Sequence, residues 1–280
     1  MSRLDVKKTY KLYIGGKFPR SESGRSYPAL NKDGEVLARV ASASRKDLRD
    51  AVRTARGAVS GWAGRSGYNR GQILYRIAET LEDRAGTFVE QLTASGSTSA
   101  AAKKEVGQAV DRLVWYAGWA DKFAQIYGNL NPVSGPFFNI SAPEPTGVVG
   151  VIAPEEPALL GLVSRLAPVL VPGNTTVVLA SESVPMPAIT FSEVLDSSDV
   201  PAGVVNLLTG SKDDLIPFLA DHMDVNAVDA GGATPNQLTR VQEGAVHNVK
   251  RVVAPDGTGQ SPYRIAAFTE TKTVWHPKGL

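Results

Sequence analysis

The sequence predicts an α/β fold with an open parallel sheet and helices on both faces. Three observations carry this. Residues 148–152 are an apolar run rich in β-branched side chains, preceded by Gly147 and ended by Pro154, which reads as a buried strand. Leu159, Leu162, Val163, Leu166 and Leu170 follow at spacings of three and four, so they share one helix face. After the turn Pro172-Gly173-Asn174, Thr175 to Leu179 reads as a second buried strand. Strand, helix, turn and strand make a βαβ unit with an expected right-handed crossover. This is the first half of a Rossmann-like nucleotide-binding layout.

The remaining elements follow in chain order. Tyr10 to Ile14 ends at Gly15-Gly16, which predicts a short hairpin. Residues 28–30 and 35–40 are short strands around the turn signal Asp33-Gly34. Ser44 and Asp47 are placed to cap a helix whose inner face holds Leu48, Val52, Ala55, Val59 and Trp62. A second helix starts near Asn69 with Ile73, Ile77 and Leu81 inward. A third covers residues 85–94, ended by the Ser/Gly tract at 95–99. A fourth covers 101–123, and its Trp115 and Trp119 read as packing residues rather than a stacking platform. Phe137 to Ile140 is a short strand. Beyond the central unit come a helix at 186–195, a strand at 203–208, a helix at 213–221 and a strand at 225–228. Thr234 then caps a helix through Val246, with Leu238, Val241 and Ala245 on one face, and 249–253 is a fifth strand. Residues 254–262 have turn and linker composition only.

With 280 residues and 42% hydrophobic side chains the chain can bury a sizeable core. Its net charge of +2, without a long basic block, points away from nucleic acid. It has no cysteine, which excludes disulfides, thiolate catalysis and Cys-ligated metals. His222, His247 and His276 are scattered without ligand spacing, so no metal site is expected. No signal-peptide core or membrane-length apolar run is present, and a cytoplasmic protein is the expectation.

Gly147-Val148-Val149-Gly150, Ile152, Pro154, Leu166-Ala167-Pro168 and Gly173-Asn174-Thr175 resemble, in residues and spacing, the first βαβ unit of the aldehyde dehydrogenase superfamily. PAGVVNLLTG at 201–210, NVKRVV at 248–253 and the terminal stretch from Tyr263 to Trp275 extend the resemblance over essentially the whole chain. In that superfamily a complete catalytic domain lies between the last two segments, where this chain has a short linker. The arrangement is similar to the truncated, Cys-less second copy found in fused aldehyde dehydrogenases.

The resemblance also says which chemistry to look for: a thiolate nucleophile, oxyanion donors, a base and a nicotinamide. The nucleophile is missing. The oxyanion Asn of P-W-N-F-P falls on Glu156, the Trp before it on Glu155, and the general base on Pro255. Glu155 and Glu156 read as a solvated loop rather than an acid–base pair. The Lys that grips the adenosine ribose falls on Leu179, or on Ala180 with a slip of one, while its companion Glu is retained as Glu182. The G-S-T near the pyrophosphate appears as Gly232-Ala233-Thr234, preceded by Gly231. Glu182, Gly231, Gly232 and Thr234 are therefore the vestigial cofactor-site residues. The favoured expectation is no cofactor, with NAD binding as the alternative.

The resemblance implies a domain organisation. Residues 1–121 are an N-terminal hairpin and helical part of the coenzyme-binding-like domain, and 122–144 an oligomerisation hairpin. Residues 145–253 are the Rossmann-like core, 254–262 the linker replacing the catalytic domain, and 263–280 a C-terminal oligomerisation strand. The expected function is that of a non-catalytic subunit that assembles with a full-length aldehyde dehydrogenase. An NAD(H)-binding regulatory homodimer is the alternative. Leu238, Val241, Ile265, Phe268, Val274 and Trp275 are the expected partner-facing residues, on the premise that Ile265 to Val274 adds to a partner's sheet.

Overall fold

The computed structural model describes residues 6–254 and 259–279. Strand β1 (Thr9–Tyr10) leads into the expected hairpin. Ile14 and Lys17 exchange backbone hydrogen bonds of 3.0 and 3.1 Å around Gly15-Gly16. Both glycines have positive φ (62° and 70°), the backbone that a two-residue hairpin demands and that a side chain would strain. Strands β2 (Ser26–Leu30) and β3 (Val36–Ala41) complete a three-stranded sheet ordered β1-β3-β2.

Four helices follow: α1 (Arg45–Ala63), α2 (Gly67–Asp83), α3 (Ala85–Ala94) and α4 (Ser99–Ala117). Ser44 and Asp47 form the expected capping box on α1. Helix α4 is shorter at its C-terminus than the sequence predicts. Gly118 caps it, and a separate short helix α5 (Phe123–Tyr127) follows. Trp115 and Trp119 pack on the core with ring centroids 5.6 Å apart, as expected. Strands β4 (Asn129–Asn131) and β5 (Phe137–Pro145) then rise from the body.

The centre is β6 (Val148–Ile152), α6 (Ala158–Leu170), β7 (Thr175–Leu179), α7 (Met186–Asp196), β8 (Val205–Leu208), α8 (Lys212–Asp221), β9 (Ala227–Asp229), α9 (Pro235–Ala245) and β10 (Arg251–Val253). Its five strands are all parallel in the order β10-β9-β6-β7-β8. Alternate side chains go to opposite faces, as the strand period of two requires. Val149, Val151 and Val178 pack with α6, α7 and the α2–α4 helices on one side. Val148, Ile152, Val177 and Leu179 pack with α1, α8 and α9 on the other. The strand order reverses between β6 and β9, and in doubly wound sheets ligands bind at that switch point, beyond the carboxyl ends of the strands.

After β10 the chain returns as α10 (Pro262–Ala266) and β11 (Thr269–Pro277). Here burial corrects the reading of Val241, Ile265 and Phe268 as partner-facing. β11 runs antiparallel along the whole of β5 in its own chain, from Thr269 opposite Pro145 to Pro277 opposite Phe137. Ile265 and Phe268 just before it are 0% and 1% exposed, so they anchor the segment in the chain's own core. Val241 is also 0% exposed and packs against the parallel sheet, and Leu238 is half-buried. An amphipathic helix has one apolar face, and α9 spends it internally. Val241, Ile265 and Phe268 therefore do not face a partner, whereas Val274 and Trp275 do remain exposed.

Buried Asn174 joins this returning segment to the centre. Its Oδ1 accepts from the Gly147 N–H (2.8 Å), and its Nδ2 donates to the carbonyls of Val169 (3.1 Å) and Phe268 (2.9 Å). Nothing in the turn signal Pro172-Gly173-Asn174 hints at this bridging role.

Candidate functional site

The switch point brings together all four expected cofactor-site residues. Glu182 follows β7, Gly231 and Gly232 follow β9, and Thr234 is the N-cap of α9. What surrounds them decides what the crevice can hold. An anion at such a site would use free N–H groups at helix starts and loops. In this chain internal groups take those positions one by one.

At the start of α6, the N–H groups of Leu159 and Leu160 both donate to Glu105 Oε1 on α4, at 2.8 and 3.2 Å. At the start of α8, the Lys212 N–H donates to Glu182 Oε2 (3.2 Å). Glu182 thus takes the first N–H of α8, beside the N-cap Ser211. At the start of α9, Thr234 and Gln237 form a capping box, Pro235 has no N–H to offer, and Gln237 Nε2 donates to Asp213 (2.8 Å).

The Gly231-Gly232 turn is filled as well. The Gly232 N–H donates to the Ile152 carbonyl (2.8 Å), and a Cβ on Gly232 would collide with the backbone of Ala153 and Pro154. A Cβ on Gly231 would strike the side chain of Arg165. Arg165 in turn lies 3.6 Å from Asp229 in a buried ion pair, and Asp229 also accepts from the Gly231 N–H (2.8 Å). Both glycines are needed for close packing of protein on protein.

Glu155 replaces solvated-loop character with a built network. Its Oε1 bonds the ammonium of Lys212, a side chain only 4% exposed, which also donates to the Ala153 carbonyl at 2.7 Å. Its Oε2 accepts from the Glu182 N–H (2.8 Å), the Ser183 N–H (2.9 Å), Ser183 Oγ (2.9 Å) and Ser181 Oγ (3.0 Å). Partial burial pushes the Glu155 carboxyl up, but the Lys212 ammonium and the Ser183 donors outweigh it and hold the group below its ordinary range. Burial, then the Glu182 and Glu155 charges, push the Tyr27 phenol up.

Glu156 lies apart from this network. It is exposed and lines a separate cleft of about 640 Å³ beside the start of α6, with Glu105 and Lys32. Of the two carboxylates expected on a solvated loop, only Glu156 is exposed, whereas Glu155 is held in the network. Pro255, the expected general-base position, lies outside the described residues. A cleft of about 910 Å³ opens between α2 and α4, away from the switch point. Among the described residues no group of His, Asp or Glu is arranged to hold a metal ion. No described helix is long and apolar enough to cross a membrane.

Strand order and switch point define a dinucleotide-fold α/β protein, and the resemblances narrow the class. The aldehyde dehydrogenase family profile matches residues 19–274. The chain belongs to the aldehyde dehydrogenase family. It is 32% identical over 276 residues to the cytosolic 10-formyltetrahydrofolate dehydrogenase of Mus musculus, covering 95% of this chain and 30% of that protein. It is 33% identical over 270 residues to retinal dehydrogenase 2 of Gallus gallus, covering 94% of this chain and 51% of the relative. It superimposes on the NAD-dependent aldehyde dehydrogenase from Sinorhizobium meliloti with a TM-score of 0.82 and 27% identity, over 91% of this chain and 51% of that one. The chain thus spans between about a third and a half of the length of these relatives.

Proposed function

We propose that the chain is a non-catalytic aldehyde dehydrogenase-type subunit that assembles with a full-length aldehyde dehydrogenase. It has no cysteine to supply the family's nucleophile. The nicotinamide dinucleotide of the family does not fit the residues present. The helix starts and loop that would meet its phosphates and ribose are taken by Glu105, Glu155, Glu182 and the Thr234–Gln237 box. No reaction step is therefore assigned to this chain.

One observation carries the assembly reading. On the outer face of the three-stranded sheet β11-β5-β4, Leu130, Ile140 and Val274 stand directly opposite one another and are 67%, 48% and 52% exposed. Phe138, two residues from Ile140, extends the row on the same face. The other face carries a hydrogen-bonded polar cluster at its middle. Asn131 donates to Asn139 and Ser141 at 2.7 Å each, and Ser141 and Thr273 are 2.8 Å apart. Trp275 belongs to that second face, edge-on to Phe137 with centroids 5.9 Å apart. A contiguous apolar row on a stiff sheet is a surface suited to burial against another subunit. The partner argued here is the family's own full-length form, because this sheet is formed by the segments that the family resemblance assigns to oligomerisation.

Size-exclusion chromatography with light scattering, on the chain alone and mixed with the full-length aldehyde dehydrogenase of the same organism, tests the reading. A joint peak is expected. A monomer that never co-elutes with the enzyme overturns it.

A further inference from the structure

The structure assigns the cleft between α2 and α4 to a flat aromatic acid, held along its length by Tyr68 and Tyr75 and at one end by Arg65. The cleft measures about 910 Å³, which suits a small organic ligand. It exists because the two helices approach too closely for side chains to fill the space between them. A Cβ on Gly71 would lie 3.0 Å from the Ala117 carbonyl, and one on Gly67 would collide with the Ala120 carbonyl. Gly71, Ala117 and Gly118 therefore line the cleft with little side-chain bulk. Tyr68 and Tyr75 border it and are 65% and 50% exposed. Seven residues apart on α2, they stand on one helix face about 10 Å from each other. Val114, also exposed, adds an apolar wall from α4. Two large aromatic side chains left open in one concave place form a surface on which planar rings stack. A ligand of two joined rings has the length to meet both.

Charge fixes which way round such a ligand lies. The end of the cleft at the start of α2 carries Arg65, Asp121 and Lys122, since a Cβ on Gly67 would also lie 3.2 Å from Asp121 Cα. Asp121 is already paired with Lys122 at 2.9 Å. Arg65 donates to Asn69 Oδ1 at 2.7 Å, which holds it at the cleft, and it has no carboxylate partner among the described residues. The remaining N–H groups of such a guanidinium form the fork that a carboxylate accepts. The opposite end is acidic. There Arg76 shares the lining with both Glu79 and Asp199, and Ser198 beside Asp199 donates to Thr80 Oγ1 at 3.0 Å. The acid group of the ligand therefore sits on Arg65, and its rings run over Tyr68 towards Tyr75. None of these residues belongs to the crevice at the switch point or to the exposed sheet face, so the inference is independent of the assembly reading.

The test is a ligand-observed NMR titration of the full chain with biphenyl-4-carboxylate, two joined rings with an acid at one end. The control is the aminomethyl compound on the same rings, which carries the opposite charge. The acid is expected to bind one saturable site with a Kd of about 0.1–1 mM, and the amine about tenfold more weakly. Arg65→Gln is expected to weaken the acid about tenfold and to leave the amine no weaker. Tyr68→Ala and Tyr75→Ala are each expected to weaken both compounds about fivefold. All three side chains are exposed, and unchanged urea midpoints confirm that each variant keeps its fold. An amine that binds as tightly as the acid overturns the inference, because the ligand's charge then belongs at the Glu79 and Asp199 end. Binding that survives the loss of Arg65 or of both tyrosines also overturns it, as does the absence of saturable binding to the wild type.

Discussion

The carboxyl edge of the parallel sheet and the outer face of the three-stranded sheet are finished in opposite ways. At the first, helix starts and loops that could receive a ligand are closed by Glu105, Glu155 and Glu182, each reaching over from a neighbouring segment, and by Gln237 within its own helix. At the second, Leu130, Ile140 and Val274 form an apolar row in water, where burying each would gain about 1–2 kcal/mol. The contrast teaches where this chain's constraints lie. Polar groups that would be costly to leave unpaired are paired internally, and apolar area that would be cheap to hide is left out.

The largest expected effect separates core from surface in the returning segment. Phe268 is buried and its carbonyl is bridged by Asn174, so Phe268→Ala is expected to cost about 4 kcal/mol in urea unfolding. A loss below about 1 kcal/mol would move Phe268 to the open side of the comparison.

An intermediate effect concerns acid. Glu155 has its folded pKa lowered, with burial opposing and Lys212 and Ser183 prevailing, so its contribution is present above the ordinary value of 4.5 and is lost as pH falls through the lowered one. The carboxylate is 44% exposed, and solvent screening limits this to about 1 kcal/mol. Urea midpoints at about pH 5.5 and about pH 3 should therefore differ more for the wild type than for Glu155→Gln. Equal differences for the two proteins would show that the Glu155–Lys212 contact contributes nothing.

The smallest expected effect on stability lies on the open sheet. Ile140→Glu should stay within about 0.5 kcal/mol of the wild type and yet abolish the joint peak with a full-length aldehyde dehydrogenase. A variant that unfolds, or that still co-elutes, would break the distinction between the two surfaces.

Much of the fold was legible because its signals are local. The apolar runs at 148–152 and 175–179 are strands over those same residues, and Ser44 and Thr234 cap the helices they were expected to cap. Strand starts were less legible. The segment expected from Gly203 begins pairing at Val205, and the one expected from Val249 begins at Arg251, since Val249 takes a positive φ of 55° that ends rather than starts a strand. The burial of Val241 and Phe268 in the chain's own core was not legible, because periodicity shows that a face is apolar and not what covers it. The acidic plugs were hidden for a related reason. Glu105 meets the start of α6 from 54 positions away, and Lys212 meets Glu155 from 57, distances over which no sequence spacing carries a pattern.

Arg251 has a consequence for how the returning segment is held. From the edge strand β10 its guanidinium donates to the carbonyls of Ala267 (2.9 Å) and Thr269 (2.7 Å) and to the Glu270 carboxylate (2.7 Å). One side chain thus clasps the outgoing end of the sheet to the segment that comes back. It shares with Asn174 and the buried Ile265 and Phe268 the work of holding the base of β11 to the sheet, so the returning segment is fixed by more than one contact.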